Sequence, residues 1–177
     1  MALNIKQKGV LRGMAVGVVI AITLIVVGIV VNPFAYSPGL DLGSRIAVAI
    51  QWSLLPAICL AVSVGRLAKH RFFTPEDIDG SSATEGTQHA KVLQSLIQNT
   101  LEQSLLAALI YLAWSVMMPA NWLSVVPLAA IAFAVGRVLF FVGYGKGAPS
   151  RAIGFTLAFY PSVGMLICLV FFTLWNG

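Results

Sequence analysis

The sequence contains few charged residues. Only 10% of its 177 residues are charged, six acidic against eleven basic, while 59% are hydrophobic. A typical soluble domain carries about 25% charged residues, so this composition excludes an ordinary water-facing surface. The mean hydropathy of +0.91 indicates a chain that spends most of its length in lipid.

Cysteine and histidine are also scarce, with two of each. Cys59 and Cys168 both lie in apolar stretches, and their spacing fits neither a disulfide framework nor a metal-binding motif. We interpret them as small buried hydrophobic residues. No metal site is expected.

Long uncharged stretches separate the few charged residues. Each is long enough to cross a hydrocarbon core about 30 Å thick. One of them is divided by Pro119 and Asn121, which predict a turn. The apolar core of the first stretch, 14–31, is longer than that of a cleaved signal peptide, which favours an uncleaved helix. The sequence therefore predicts an all-α integral membrane protein with five spans, at residues 11–31, 45–68, 91–118, 122–144 and 151–175.

The net charge of +5 is distributed as membrane topology requires. With the amino terminus in the cytoplasm, nine of the eleven basic residues fall in cytoplasmic segments, as the positive-inside rule demands. Arg45 lies outside and Arg137 within a span. These cytoplasmic residues are Lys6, Lys8, Arg12, Arg66, Lys69, Arg71, Lys91, Lys146 and Arg151. The charge thus indicates an external carboxyl terminus and attraction to anionic lipid, and no nucleic-acid partner is expected.

A polar stripe runs along the third span. Its members recur at helical spacings and therefore share one face of the helix. They are Lys91, Ser95, Gln98, Asn99 and Glu102. Each polar group facing acyl chains would cost about 2–3 kcal/mol, so the stripe is expected to face other helices or a wet cavity.

Glu102 and Arg137 are predicted to lie at similar depth, roughly 16 Å and 10 Å along antiparallel helices. Opposite charges so placed are expected to pair. The pair has two interpretations, a structural link between helices or part of a ligand site, and spacing does not choose between them.

The turn at 143–151 holds further candidate residues. Ser150 is a candidate N-cap for the last span, which places Arg151 in the first turn, where the helix dipole adds positive potential. Tyr144 and Lys146 lie nearby. The cluster suits a carboxylate, phosphate or thiolate, or it serves topology and lipid headgroup contact. The linker 74–90 is interpreted as a solvated loop for most of its length.

From about residue 44 onward these residues resemble the MAPEG family, the membrane-associated proteins of eicosanoid and glutathione metabolism. The likeness is to bacterial-type members and to the prostaglandin E synthase and leukotriene synthase branches. Four stretches carry it, in order: GRLAKHRFFTPEDI, QNTLEQ, GRVLFFVGYGKGAPSR and RAIGFTLAFYPSVGML.

The resemblance implies a four-helix bundle over residues 44–177, preceded at 1–43 by one extra transmembrane helix. It further implies a homotrimer that binds glutathione between subunits near the cytoplasmic face. The expected glutathione contacts are Arg66, Asn99, Glu102 and Arg137, and the expected catalytic residues are Arg151, facing the sulfur, and Tyr144.

The implied activity is a glutathione-dependent transferase or peroxidase acting on a lipophilic electrophile, in a bacterial inner membrane. The chain departs from the prostaglandin branch at Ser95 and Gln98, which replace arginines, and at Phe140, Ala152 and Phe155. One alternative is therefore a non-catalytic protein that binds lipid or presents a partner. A transporter is a third alternative, although the broken helices expected of one are not evident.

Overall fold

Five long helices make up the computed structural model of this protein, which describes residues 3–80 and 86–176. All five are long and apolar enough to cross a membrane, and no strand occurs in these ranges. The predicted all-α membrane architecture is thus confirmed. The helices are α1 (Ile5–Val30), α2 (Leu42–Phe73), α3 (Gln88–Met117), α4 (Val125–Gly143) and α5 (Ala148–Asn176).

The helices begin where capping residues precede them. Asn4 and Gln7 form a reciprocal capping box at α1, and the Asp41 carboxylate accepts a hydrogen bond from the Ser44 amide at α2. Such caps satisfy N–H groups that have no partner inside the helix. At 32 residues, α2 is about 48 Å long and extends past the hydrocarbon layer.

The main packing contacts join α4 to α5, α1 to α5, and α2 to α3. The largest apolar cluster surrounds Trp114, Phe133 and Met165, each at most 1% exposed. Helix α5 therefore lies between the predicted extra helix and the remainder of the bundle.

Small residues allow α5 to approach both of its neighbours. On one side, a Cβ added at Gly154 would lie 2.7 Å from Phe140 Cα and 2.8 Å from the Gly136 carbonyl oxygen. On the other side, a Cβ at Gly13 of α1 would lie 2.7 Å from Ala152 Cβ. The Thr156 hydroxyl also donates to the Gly13 carbonyl at 3.2 Å. Close backbone contact of this kind drives helix association where lipid removes the hydrophobic driving force.

The basic helix ends lie at one face of the bundle. Gly9 of α1 lies against Pro149 of α5, and Arg71 at the end of α2 donates to Gln94 near the start of α3 at 3.3 Å. The segments predicted to be cytoplasmic therefore share one face.

Replacing Gly154 with alanine is expected to lower the free energy of unfolding by about 1–3 kcal/mol, because the methyl group overlaps the α4 backbone. Thermal unfolding followed by circular dichroism in detergent measures the effect. Gly65→Ala is the matched control, since nothing lies within 4 Å of its added Cβ and alanine favours helix. Equal melting temperatures for the two variants would contradict the proposed close packing.

Candidate functional site

The polar stripe of α3 faces a cleft of about 720 Å³ that α4 and α5 complete. A volume of this size lies within the range of small-molecule sites, about 300–1,000 Å³. The lining residues are Lys91, Gln94, Ser95, Gln98, Asn99 and Glu102 of α3 with Phe140, Tyr144, Arg151 and Phe155. The structure therefore brings together Asn99, Glu102, Tyr144 and Arg151, four of the six residues that the sequence singled out.

Arg137 lies behind the cleft wall, fully buried. Its Nη1 and Nη2 donate to the Asn99 side-chain oxygen at 2.9 and 3.1 Å, and its guanidinium lies 4.3 Å from the Phe140 ring centroid. Charge-assisted hydrogen bonds and a cation–π contact offset part of the loss of hydration. Arg137 thus supports Asn99 and Phe140, both of which line the cleft.

The prediction that Glu102 and Arg137 form an ion pair is wrong. The Glu102 carboxylate accepts a 2.7 Å hydrogen bond from Gln98 Nε2 and is exposed toward the cleft. Asn99 occupies the side of α3 that faces Arg137 and engages both terminal nitrogens. The carboxylate consequently remains available within the cleft.

Arg151 is the fourth residue of α5, which begins at Ala148. The prediction that Ser150 is the N-cap is therefore wrong, because Ser150 lies inside the first turn of the helix. Pro149 also lies in this first turn, where proline is tolerated. The Arg151 guanidinium lies 4.5 Å from the Tyr144 ring centroid. Within the described part of the chain no acceptor or carboxylate meets its N–H groups, so a ligand has access to them.

Arg66 does not reach this cleft within one chain. It is exposed, lies 5.5 Å from the Phe141 ring centroid, and lines a separate cavity of about 380 Å³ between α2 and α3. Lys69, His70 and His89 share that cavity. The structure thus separates Arg66 from the other predicted glutathione contacts.

Sequence reasoning did not anticipate a buried polar cluster in the linker. Asp77 is 2% exposed and accepts bonds from the Thr87 hydroxyl at 2.6 Å, the Thr87 amide at 2.8 Å and His70 Nε2 at 2.8 Å. The Thr87 hydroxyl also caps α3 by accepting from the Ala90 amide. The Thr87 bonds foremost, with a smaller contribution from His70, hold the pKa of the Asp77 carboxyl below its ordinary value of 3.8. Asp77 therefore ties the end of α2 to the start of α3.

The Asn99–Arg137 hydrogen bonds were also not predicted. The similar depth of the two residues on antiparallel helices was the sequence feature that indicated a contact. Gln94 and Phe140 line the cleft without having been proposed as site residues. Phe140 was identifiable from its position three residues beyond Arg137 on the same helix.

The fold and the cleft define an α-helical integral membrane protein with a polar cleft near its basic face. The MAPEG family model matches residues 46–171. The chain belongs to the MAPEG family, as its motifs predicted, and α1 precedes the matched region. Membership implies a membrane protein of glutathione-related transferase, peroxidase or related function. No curated protein and no solved structure matches the chain.

Asn99→Ala is expected to destabilise the protein by about 1.5–3 kcal/mol, because a buried guanidinium loses its acceptor. The double variant Asn99→Leu with Arg137→Met should lose less stability than the sum of the losses caused by its two single substitutions. Melting temperatures in detergent measure both effects. Glu102→Gln is the control and should change stability little, whereas a loss equal to that of Asn99→Ala would restore an important role for Glu102 in the helix contact.

Asp77→Ala is expected to lower the melting temperature at pH 7. Since the folded pKa is depressed, the carboxylate stabilises the fold fully above about pH 3.8 and ceases to do so as pH falls through the lowered pKa. The difference in melting temperature between the native chain and the variant should therefore become smaller at acidic pH. Asp79→Ala, at an exposed neighbouring carboxylate, is the control, and a pH-independent gap would contradict the linkage.

Proposed function

We propose that this protein is a glutathione-dependent transferase or peroxidase acting on a lipophilic electrophile. The observation that carries the proposal is the Arg151 guanidinium, which stacks on Tyr144 and has no anionic partner in the described part of the chain. It lies in the wall of a polar cleft formed by membrane-spanning helices. A cation in this position would stabilise an anion, such as a thiolate, that forms in the cleft.

The chemistry of the cleft fits glutathione, a tripeptide with one ammonium, two carboxylates and a thiol. The Glu102 carboxylate is suited to the ammonium, and the amides of Gln98 and Asn99 to the peptide groups. Lys91 at the outer end of the stripe is suited to a carboxylate. Ser95 and Gln98 supply hydrogen bonds in place of positive charge, so affinity in this protein depends more on amide contacts.

Thiol activation is the role proposed for Arg151. A free thiol has a pKa near 8.5, so only a few per cent is the reactive thiolate at neutral pH. Each unit by which Arg151 and the start of α5 lower that pKa corresponds to about 1.4 kcal/mol of thiolate stabilisation. Tyr144 contacts the guanidinium through its ring and also lines the cleft.

Two reactions use the same activated sulfur. In conjugation a carbon–sulfur bond forms, the leaving group departs with its electron pair, and the thiol proton passes to solvent. In peroxide reduction two thiols are oxidised to a disulfide while a hydroperoxide is reduced to alcohol and water. In both, the lipophilic reactant enters from the bilayer and glutathione from the aqueous side.

A homotrimer is the proposed assembly, as the family resemblance implies. Association of copies is supported because the monomer leaves polar side chains exposed where lipid would surround them. Gln98 and Glu102 are exposed on α3, which is unfavourable against acyl chains. A neighbouring copy would cover the cleft. Arg66 of α2 lies outside the cleft of its own chain, so the proposed trimer assigns it to the site of a neighbouring subunit.

The proposed setting is a bacterial inner membrane with the amino terminus in the cytoplasm and the carboxyl terminus outside. The basic face of the bundle supports this orientation through the positive-inside rule. The cleft then opens toward the cytoplasm, the compartment expected to supply a reduced thiol.

Arg151→Ala is expected to reduce conjugation of glutathione to 1-chloro-2,4-dinitrobenzene by about tenfold or more, because the bound thiol loses its stabilising cation. Turnover of the purified protein and the pH at which bound glutathione forms thiolate, followed by ultraviolet absorbance, measure the loss. The thiol pKa should rise in the variant. Glutathione affinity should fall less than turnover.

Lys146→Ala is the control, since this side chain is exposed beside the cleft without lining it. Absence of saturable binding at millimolar glutathione would overturn the proposal and favour the lipid-binding alternative. Equal activity in Arg151→Ala and the native chain would remove Arg151 from the mechanism.

A further inference from the structure

A second cavity lies between α1 and α5, directly beside the polar cleft. Its volume is about 290 Å³. Phe140, Arg151 and Phe155 line both spaces, so the two adjoin at these residues. From α1 the cavity is lined by Val10 and Met14.

The walls of this cavity are suited to hydrocarbon. Apart from Arg151, its polar side chains are Thr156 and Tyr160. The Thr156 hydroxyl is already bonded to the carbonyls of Gly13 and Ile153, at 3.2 and 3.0 Å. The cavity therefore offers few free polar groups to a ligand, and an alkyl chain or aromatic ring placed there would contact mainly apolar side chains.

Close packing holds α1 in a defined position at this cavity. The seam with α5 passes through Gly9, Gly13 and Gly17, each of which has no room for a side chain. Val10 and Met14 flank that seam by helical geometry. Their side chains are therefore presented to the cavity by a fixed backbone.

We propose that α1 supplies one wall of the site for the lipophilic co-substrate, and that Val10 and Met14 set the size of the apolar group it accepts. The inference rests on the proposed function. It concerns a helix that lies outside the family match over residues 46–171. The apolar part of the electrophile lies between α1 and α5 while its reactive carbon reaches Arg151.

Chain-length selectivity tests the proposal. The probes are alkyl esters of 4-chloro-3,5-dinitrobenzoic acid, from methyl to dodecyl, and the measurement is kcat/KM at saturating glutathione. Met14→Trp fills the cavity and should lower kcat/KM for long esters by about tenfold relative to the methyl ester, because the tail then clashes. Met14→Ala should extend the accepted chain length.

Ala15→Trp is the matched control, because Ala15 is exposed on the opposite side of α1 at nearly the same depth. It should leave the chain-length profile and glutathione affinity unchanged. A Met14→Trp profile identical to that of Ala15→Trp would overturn the proposal. A shift in glutathione affinity without a change in chain-length preference would also overturn it.

A binding measurement separates this inference from the proposed activity. A decyl probe carrying a diazirine is photolysed with the protein in lipid nanodiscs, and labelled peptides are identified by mass spectrometry. Labelling at Val10 and Met14 should be suppressed by excess octyl ester, whereas labelling at the exposed Val19 should persist. Equal suppression at both places, or none, would overturn the cavity assignment even if glutathione turnover is intact.

Discussion

The burial of the Arg137 charge is the constraint on which the arrangement of the bundle depends. A guanidinium that no water reaches costs least in lipid when neighbouring groups meet its N–H groups and its charge. The Asn99 side-chain oxygen accepts from both terminal nitrogens and the Phe140 ring faces the charge, while Nε has no hydrogen-bond partner among the described residues. This contact joins α3 to α4 at one depth and orients the polar stripe of α3 toward α5. The polar cleft lies in front of that contact.

A neutral amide rather than the nearby carboxylate accepts the hydrogen bonds of Arg137, and this choice has a chemical consequence. Had Glu102 paired with Arg137, the cleft would have lost the only carboxylate that the described residues contribute to its lining. In the observed arrangement Glu102 lies open beside Gln98, and Arg151 lines the same cleft with no anionic partner in the described part of the chain. The cleft thus keeps separated charges of both signs, which suits the zwitterionic tripeptide proposed as its ligand.

Helix α5 connects the two halves of the proposed chemistry. Its first turn carries Arg151, one side packs on α4 through Gly154, and the other packs on α1. Because the backbones approach closely at both contacts, the polar cleft and the apolar cavity are held in a fixed relation on either side of Arg151. At the basic face, the buried Asp77 cluster fixes how α2 leads into α3.

The sequence alone determined the membrane class, the five spans and the polar face of α3, because uncharged run length and helical periodicity are local properties of the chain. It also placed Tyr144 and Arg151 at one helix junction. Tertiary structure decided which acceptor Arg137 uses, since that depends on the rotation of α3 against α4, which periodicity leaves open. It likewise placed α1 against α5, because close packing at glycines joins these helices although they are far apart along the chain. The position of Arg66 outside the cleft also depends on which helices are neighbours in space, and order along the chain does not reveal that.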